Sequence, residues 1–128
     1  MNRTVSDTPV AANRRGAWAE DMALAFVVKR GLLEVARNFR CRYDEIDLIL
    51  NDGDTLVFLE VRYRAAGVLV SATESISAAK QRRLLASAGY YLQRRGDSDL
   101  CQCRFDVLAV SGNGANPFVH WLRDAIQA

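Results

Sequence analysis

Apolar residues recur at intervals of three and four positions in two long segments of the chain, which is the pattern of amphipathic helices. The first segment runs from Asn13, a suitable N-cap, to about Arg30. The second runs from Ser77, another suitable N-cap, to about Arg95, and Gly96 follows it where a left-handed residue often ends a helix. The spacing therefore predicts two long helices with a different kind of structure between them.

Alternating apolar and polar positions predict β-strands outside the two helices. The pair Asp52-Gly53 is a hairpin signal between two of these strands. Residues 65–77 are rich in Gly, Ser, Thr and Ala and predict a loop. In chain order the remaining elements are strands over 33–38, 45–50, 55–63 and 103–110, a turn over 112–114, a strand over 118–121 and a terminal helical stub.

This order of elements predicts an α/β fold, because helices and strands are mixed without strict alternation. We expect a mixed central sheet that contains the hairpin and is flanked by the two long helices. A chain of 128 residues fits one domain. We assign that domain to residues 13–128, and we expect residues 1–12, which are small and polar, to form a disordered leader.

Asp47 and Glu60 each place a carboxylate in an otherwise apolar strand of the hairpin. A turn at residues 52–53 sets Asp47 opposite Phe58 and Glu45 opposite Glu60. Asp47 and Glu60 are then diagonal neighbours, about 7–8 Å apart at the backbone. The opposite face of the hairpin is a predicted core surface, formed by Ile46, Leu48, Leu50, Val57, Leu59 and Val61.

Two carboxylates held together on a half-buried sheet raise their pKa values or hold a cation. Mg²⁺ suits such a pair, because it prefers oxygen ligands and is often held by one or two carboxylates. Glu20 lies on the apolar stripe of the first helix and is a further inward-facing candidate, although a carboxylate near a helix start is also stable in water. An alternative remains open for the hairpin, in which Glu45 and Glu60 only form ion pairs with Arg42, Arg62 or Arg64.

The formal net charge is only +2, so any nucleic-acid contact must come from a local basic face. The basic residues are mostly arginines, which suit bidentate phosphate contacts. Lys80, Arg82 and Arg83 lie near the start of the second helix, where free backbone N–H groups favour an anion. We therefore favour phosphate binding over a merely solvated charged face. Tyr90, Tyr91 and Trp121 are suited to base stacking, but a tyrosine pair in an amphipathic helix is more often core packing.

Several site classes are disfavoured by composition. The three cysteines form no C-x-x-C pair, and His120 is the only histidine, which argues against a disulfide framework, a Cys/His zinc site and a Ser-His-Asp triad. The sequence has no GxGxxG and no P-loop lysine motif. It also has no signal-peptide core and no membrane-spanning apolar stretch, so we expect a cytoplasmic protein.

Five segments of the chain together resemble the YraN family of small bacterial proteins, over roughly residues 15–125. That family resembles Holliday-junction resolvases and the PD-(D/E)xK nuclease superfamily. The segments are Gly16-x-x-Ala19-Glu20, Glu45-Ile46-Asp47-Leu48-Ile49, Val57-Phe58-Leu59-Glu60-Val61-Arg62-Tyr63-Arg64, Lys80-x-x-Arg83-Leu84 and Cys103-Arg104-Phe105-Asp106-Val107.

The resemblance implies a restriction-endonuclease-like core and a metal-dependent endonuclease that hydrolyses phosphodiester bonds in DNA, branched or junction DNA included. It implies that Glu20, Asp47 and Glu60 bind Mg²⁺ or Mn²⁺. Asp47 and Glu60 would then be catalytic together with Arg62 and Lys80, and Arg64, Arg82 and Arg83 would contact nucleic acid. A homodimer is compatible with it, because resolvases are often two-fold symmetric.

The sequence departs from the family pattern at two positions. Arg62 replaces the lysine of (D/E)xK, and a guanidinium stays charged where an ammonium can share a proton. Lys80 is a substitute source of that ammonium. Asp44 stands where the family usually has glycine. These departures keep two alternatives open: a nucleic-acid-binding module that cleaves weakly or not at all, and a structural protein whose charged residues form only an ion-pair network.

Overall fold

The computed structural model describes residues 7–64, 76–96, 102–113 and 115–127, with the backbone alone for residues 7–15, 64 and 113. The first helix begins at Asp7, upstream of the predicted start at Asn13. Residues 1–6 of the predicted leader and most of the predicted 65–77 loop lie outside the described residues. The elements are α1 (Asp7–Val28), β1 (Leu33–Arg40), β2 (Glu45–Asp52), β3 (Thr55–Arg64), α2 (Ala78–Arg95), β4 (Gln102–Asn113) and β5 (Asn116–Ile126).

The five strands form one mixed sheet in the order β1-β2-β3-β4-β5. Strands β1, β2 and β3 are antiparallel neighbours, β4 runs parallel to β3, and β5 is antiparallel to β4. The parallel pair requires a long crossover, and α2 lies within it. The predicted α/β class with a mixed sheet and two flanking helices is confirmed, and the arrangement is compatible with a nuclease-like core.

The two helices belong to separate apolar clusters on the sheet. In β3, Val57 and Leu59 belong to the α1 cluster, while Leu56 and Phe58 belong to the α2 cluster. Because successive side chains of a strand point to opposite faces, this alternation puts the two helices on opposite sides of the sheet. The central strands are therefore apolar on both faces, so a carboxylate within them is an exception that needs a local explanation.

Helix α2 has the ends that its sequence predicts. The Ser77 side chain accepts the Lys80 backbone N–H at 3.1 Å, and Gly96 adopts a left-handed conformation with φ of 82°. Among the described residues, neither helix combines the length and the apolar character that crossing a membrane requires.

The predicted terminal helical stub is wrong, because the chain continues as β5 to Ile126. Pairing with β4 extends from Asn113 opposite Asn116 to Phe105 opposite Ile126, with one irregularity next to Phe105. An isolated short helix is marginal in water, whereas a strand added to a sheet satisfies its backbone groups. Tertiary pairing therefore outweighs the local helix preference of the tail.

A buried carboxylate anchors β5. The Asp106 side chain is fully buried and accepts the Trp121 indole N–H at 3.0 Å, the Asp124 backbone N–H at 2.7 Å and the Arg104 guanidinium at 3.0 Å. The indole N–H of Trp121, its only polar side-chain group, is therefore used to hold β5 in place. This structural role argues against base stacking by Trp121. The Asp106 of the fifth family segment holds two strands together.

We predict that Asp106→Ala destabilises the fold by about 3 kcal/mol, because it leaves the buried donors of Arg104 and Trp121 without their acceptor. Urea denaturation monitored by tryptophan fluorescence measures this loss. Asp54→Ala is the matched control, because Asp54 is an exposed carboxylate in the hairpin turn, and it should change stability by less than about 0.5 kcal/mol. Equal effects of the two substitutions would contradict the anchoring role.

Candidate metal centre

The hairpin turn consists of Gly53 and Asp54, since Asp52 pairs with Thr55. Gly53 has a φ of 60° and supplies the positive angle that a tight hairpin needs. The predicted register, with Asp47 opposite Phe58, is therefore wrong by two positions, and Ile49 lies opposite Phe58. The last regular pair is Leu48 with Leu59, so continuing the same register brings Asp47 beside Glu60 rather than diagonal to it.

Strand β2 is irregular at Asp47. Ile46 belongs to the α2 cluster and Leu48 to the α1 cluster, although residues two apart in a regular strand share a face. The predicted common core face is therefore wrong for Ile46. In the neighbouring strand β1, Asn38 lies between the residues that pair with Leu48 and Ile46, so it faces Asp47. Asn38 has a left-handed φ of 53°. The Val61 backbone N–H donates to the Asp47 carboxylate at 2.8 Å. A side-chain oxygen thus replaces the backbone carbonyl that would accept this N–H in a regular sheet.

The carboxyl groups of Asp47 and Glu60 interact directly with each other; Glu60 is only 4% exposed, and Asp47 is half-buried. Burial, followed by repulsion from Glu60, raises the pKa of Asp47 to about 8. Burial also raises the pKa of Glu60, against the opposing charges of Lys80 and Arg62. Two such groups cannot both ionise easily without a counter-charge, so the pair retains a proton near neutral pH. A cation is the other way to neutralise it.

Asp47 also belongs to a second group of carboxylates, with Glu20 of α1 and Glu45 of β2. One oxygen of each lies within 4.8 Å of the others. The Asn38 amide holds the outer two in place, donating to Glu45 at 2.8 Å and to Glu20 at 3.1 Å. The predicted candidates Glu20, Asp47 and Glu60 thus all lie at one site, where Asp47 is the shared member.

Sequence reasoning did not assign Glu45 to the metal centre, although it placed Glu45 on the same strand face as Asp47. The spacing of two residues was the available signal. Glu45 does form an ion pair, as the alternative interpretation required, but with Arg40 at 2.9 Å. Glu60 pairs with Arg62 at a longer 3.5 Å. The Arg40–Glu45 pair is exposed on its arginine side and therefore weak, and the Glu60–Arg62 contact is long, so neither excludes a ligand role.

The predicted catalytic lysine lies on the α2 side of the pair. The Lys80 ammonium is 2.9 Å from Asp44, and the Arg83 guanidinium is 3.3 Å from the other oxygen of the same carboxylate. Burial would raise the pKa of Asp44, but hydrogen bonds from Lys80, the Glu45 N–H and Arg83 outweigh it and leave that pKa below its ordinary value. Since the Lys80 charge also lowers the pKa of Glu60, Lys80 acts on both carboxylates.

Of the residues predicted to contact nucleic acid, Arg82 and Arg83 lie exposed on α2. Arg83 is engaged by Asp44. The side chain of Arg64 lies outside the described part of the structure, so its predicted contact stays a prediction.

The sequence profile of the uncharacterised protein family UPF0102 matches residues 19–110, a segment that includes all four carboxylates of the site. The chain belongs to this family. It is the YraN family, as the sequence resemblance indicated. The chain is 44% identical over 119 residues to a UPF0102 protein of Nitrosococcus oceani, covering 93% of this chain and 96% of that one. It is 42% identical over 113 residues to a UPF0102 protein of Methylobacillus flagellatus, covering 88% and 96% of the two chains.

The raised pKa of Asp47 gives a testable pH dependence of stability. In the unfolded chain this carboxyl ionises near its ordinary 3.8, and in the folded chain near 8. The folded state therefore binds more protons between these values, so the contribution of Asp47 to the free energy of unfolding falls as pH rises through that window and is constant outside it. We predict a fall of about 2 kcal/mol or more from pH 5 to pH 8, with a smaller contribution of the same sign from Glu60.

Asp47→Asn should remove most of this pH dependence and stabilise the protein at pH 8, because an uncharged amide fills the same space. Chemical denaturation in a chelating buffer at several pH values measures the effect. Asp54→Asn, at the exposed turn carboxylate, should keep the wild-type slope. A wild-type slope as flat as that of Asp47→Asn would refute the buried protonated pair.

Proposed function

We propose that this UPF0102 protein is a metal-dependent endonuclease that hydrolyses phosphodiester bonds in DNA, branched DNA included, in the cytoplasm. The observation that carries the proposal is the Asp47–Glu60 pair, in which a half-buried and a buried carboxyl interact inside an apolar sheet. Such a pair is unfavourable for the fold at neutral pH, because burial raises the pKa of both carboxyls. Perturbed carboxyls in close contact are typical of functional sites.

The donor set fits a hard divalent ion such as Mg²⁺ or Mn²⁺. It offers only oxygen ligands, and a bound ion would supply the positive charge that the shared proton supplies in its absence. Asp47 is the common ligand, because it contacts Glu60 and also lies within 4.8 Å of Glu20 and Glu45. The bound ion supplies a more acidic water and a positive charge beside the scissile phosphate.

The side chains around the pair supply fixed positive charge for a phosphate. Arg62 is 3.5 Å from Glu60, and its guanidinium donates hydrogen bonds without being able to accept a proton. Lys80 lies at the same pair and can stabilise the charge that grows on the phosphate oxygens. Arg82 and Arg83, one turn of α2 or less from Lys80, attract the flanking phosphates.

A second candidate function is a nucleic-acid-binding module that retains this site but cleaves weakly or not at all. The Lys80–Asp44 ion pair favours it, because a lysine neutralised by a carboxylate at 2.9 Å is less available to a phosphate. The replacement of the motif lysine by Arg62 favours it too. Under either function the partner is DNA or another nucleic acid, and a homodimer would match a two-fold symmetric junction.

We predict that Asp47→Asn abolishes cleavage of DNA while leaving the fold intact, because it removes the shared ligand without changing its size. The measurement is cleavage of labelled single-stranded, duplex, flap and four-way-junction DNA with Mg²⁺ or Mn²⁺. Asp54→Asn, purified identically, should cleave like the wild type. Undiminished cleavage by Asp47→Asn would sink the assignment, and absence of cleavage by all three proteins would favour the binding module.

We predict separately that Mn²⁺ binding requires these carboxylates, whether or not the protein cleaves DNA. Asp47→Asn should weaken Mn²⁺ affinity the most, and Glu60→Gln should weaken it by at least about tenfold. Comparing Glu20→Gln with Glu45→Gln shows which outer carboxylate takes part. Electron paramagnetic resonance of free Mn²⁺ gives the affinities. Equal affinities of the wild type and Asp47→Asn would contradict the metal centre.

A further inference from the structure

A groove outside the metal centre lies between α2 and the chain that connects β1 to β2. Its volume is about 410 Å³, and it is lined by Tyr43, Ala86, Gly89, Tyr90 and Gln93. Tyr43 is 37% exposed, and its ring stands at 70° to that of Tyr90 with centroids 6.4 Å apart. Two aromatic walls and a floor of small residues thus form an open apolar slot.

The neighbouring residues Tyr90 and Tyr91 have different roles. The Tyr91 ring packs into the core, with centroids 5.0 Å from Phe39 and 6.0 Å from Phe58. The Tyr90 ring is half-buried, with its centroid 6.4 Å from that of Tyr43 and 6.3 Å from that of Phe39. Core packing therefore explains Tyr91, but it does not explain the exposed Tyr43 ring that Tyr90 meets at the groove.

The groove is rimmed by positive charge. The Arg42 guanidinium lies 4.9 Å from the Tyr43 ring centroid, and that of Arg94 lies 5.8 Å from the Tyr90 centroid. None of the five lining residues is acidic. Aromatic faces combined with arginines suit a ligand that has a flat ring and an anionic backbone, which is the chemistry of single-stranded nucleic acid.

We propose that this tyrosine groove, formed by Tyr43 and Tyr90, stacks an unpaired base of a single-stranded segment of nucleic acid. A base within a duplex is covered on both faces by its neighbours, so only an unpaired base can offer a free face to a tyrosine. The volume of about 410 Å³ is in the range of sites that hold one small flat ligand.

The groove and the metal centre are linked through α2 and Asp44. Asp44 directly follows Tyr43, and its carboxylate contacts Lys80, whose charge acts on Glu60. Along α2, Lys80 and Gly89 are separated by about 14 Å. The inference names the form of nucleic acid that the proposed nuclease would take, and in that sense it rests on the proposed function.

Gly89 allows a test that does not endanger the fold. A side chain there meets no other atom within 4 Å of its Cβ, and Gly89 is not left-handed. Gly89→Leu should fill the groove while favouring the helix, and Gly89→Ala favours the helix equally well but leaves most of the groove open. Tyr43→Ala removes one wall. None of these substitutions touches a residue of the metal centre.

The experiment is binding of a fluorescent ten-nucleotide single-stranded DNA in EDTA, beside an abasic oligomer of the same length and charge. The wild type and Gly89→Ala should bind the oligomer with bases about tenfold more tightly than the abasic one, because one stacked base is typically worth that much. Gly89→Leu and Tyr43→Ala should bind the two oligomers equally. A 2-aminopurine base in the DNA should be quenched only by the first two proteins.

Equal binding of both oligomers by the wild type would overturn the inference, even if the protein cleaves DNA. A base preference that survives in Gly89→Leu would show that the base does not stack in the tyrosine groove. A base preference without metal-dependent cleavage would support the groove and reject the nuclease. Because EDTA removes divalent ions, the binding result does not depend on whether the metal centre is active.

Discussion

The hydrogen bond from the Val61 backbone N–H to the Asp47 carboxylate is the interaction on which the candidate site depends. It replaces a ladder bond just beyond the last regular pair of β2 and β3. By holding the carboxylate inside the sheet, it brings Asp47 against Glu60 and within 4.8 Å of Glu20 and Glu45. The proton shared by the pair is a consequence of that placement, and so is the affinity for a cation that we propose.

Negative and positive side chains lie on opposite sides of the sheet at Asp47. The further carboxylates Glu20 and Glu45 lie together on one side and are bridged by Asn38, while Lys80 on α2 lies near Glu60 on the other. The ion pair with Asp44 then determines how much of the Lys80 charge is available to a phosphate. The pair opposes folding at neutral pH, because the folded state must hold a proton that the unfolded chain releases, and an ion would remove that penalty. Strain of this kind within a sheet is characteristic of functional sites.

The bounds of α2 were predictable from its neighbours in sequence. Helix α2 ends where Ser77 and Gly96 indicate, because capping is local. The tail was mispredicted because pairing with β4 outweighs its helix preference. The hairpin register was mispredicted because Gly53 takes the first position of the turn rather than the second.

Those site residues that are unusual for their position in the sequence were the ones that could be predicted. Asp47 and Glu60 are visible as carboxylates in apolar strands. The role of Glu45 depends on the left-handed Asn38, and the groove depends on Tyr43 meeting Tyr90 across the fold. The Asn38 conformation and the Tyr43–Tyr90 contact have no local sequence signal, and the spacing of Glu45 and Asp47 shows only that the two residues share a strand face.

The most direct test of the metal centre is a crystal structure of the protein soaked in Mn²⁺, with anomalous scattering used to locate the ion. The account predicts one strong peak between Asp47 and Glu60, about 2.0–2.2 Å from an oxygen of each. A structure in which Mn²⁺ is absent, or is bound only at other carboxylates, would contradict it.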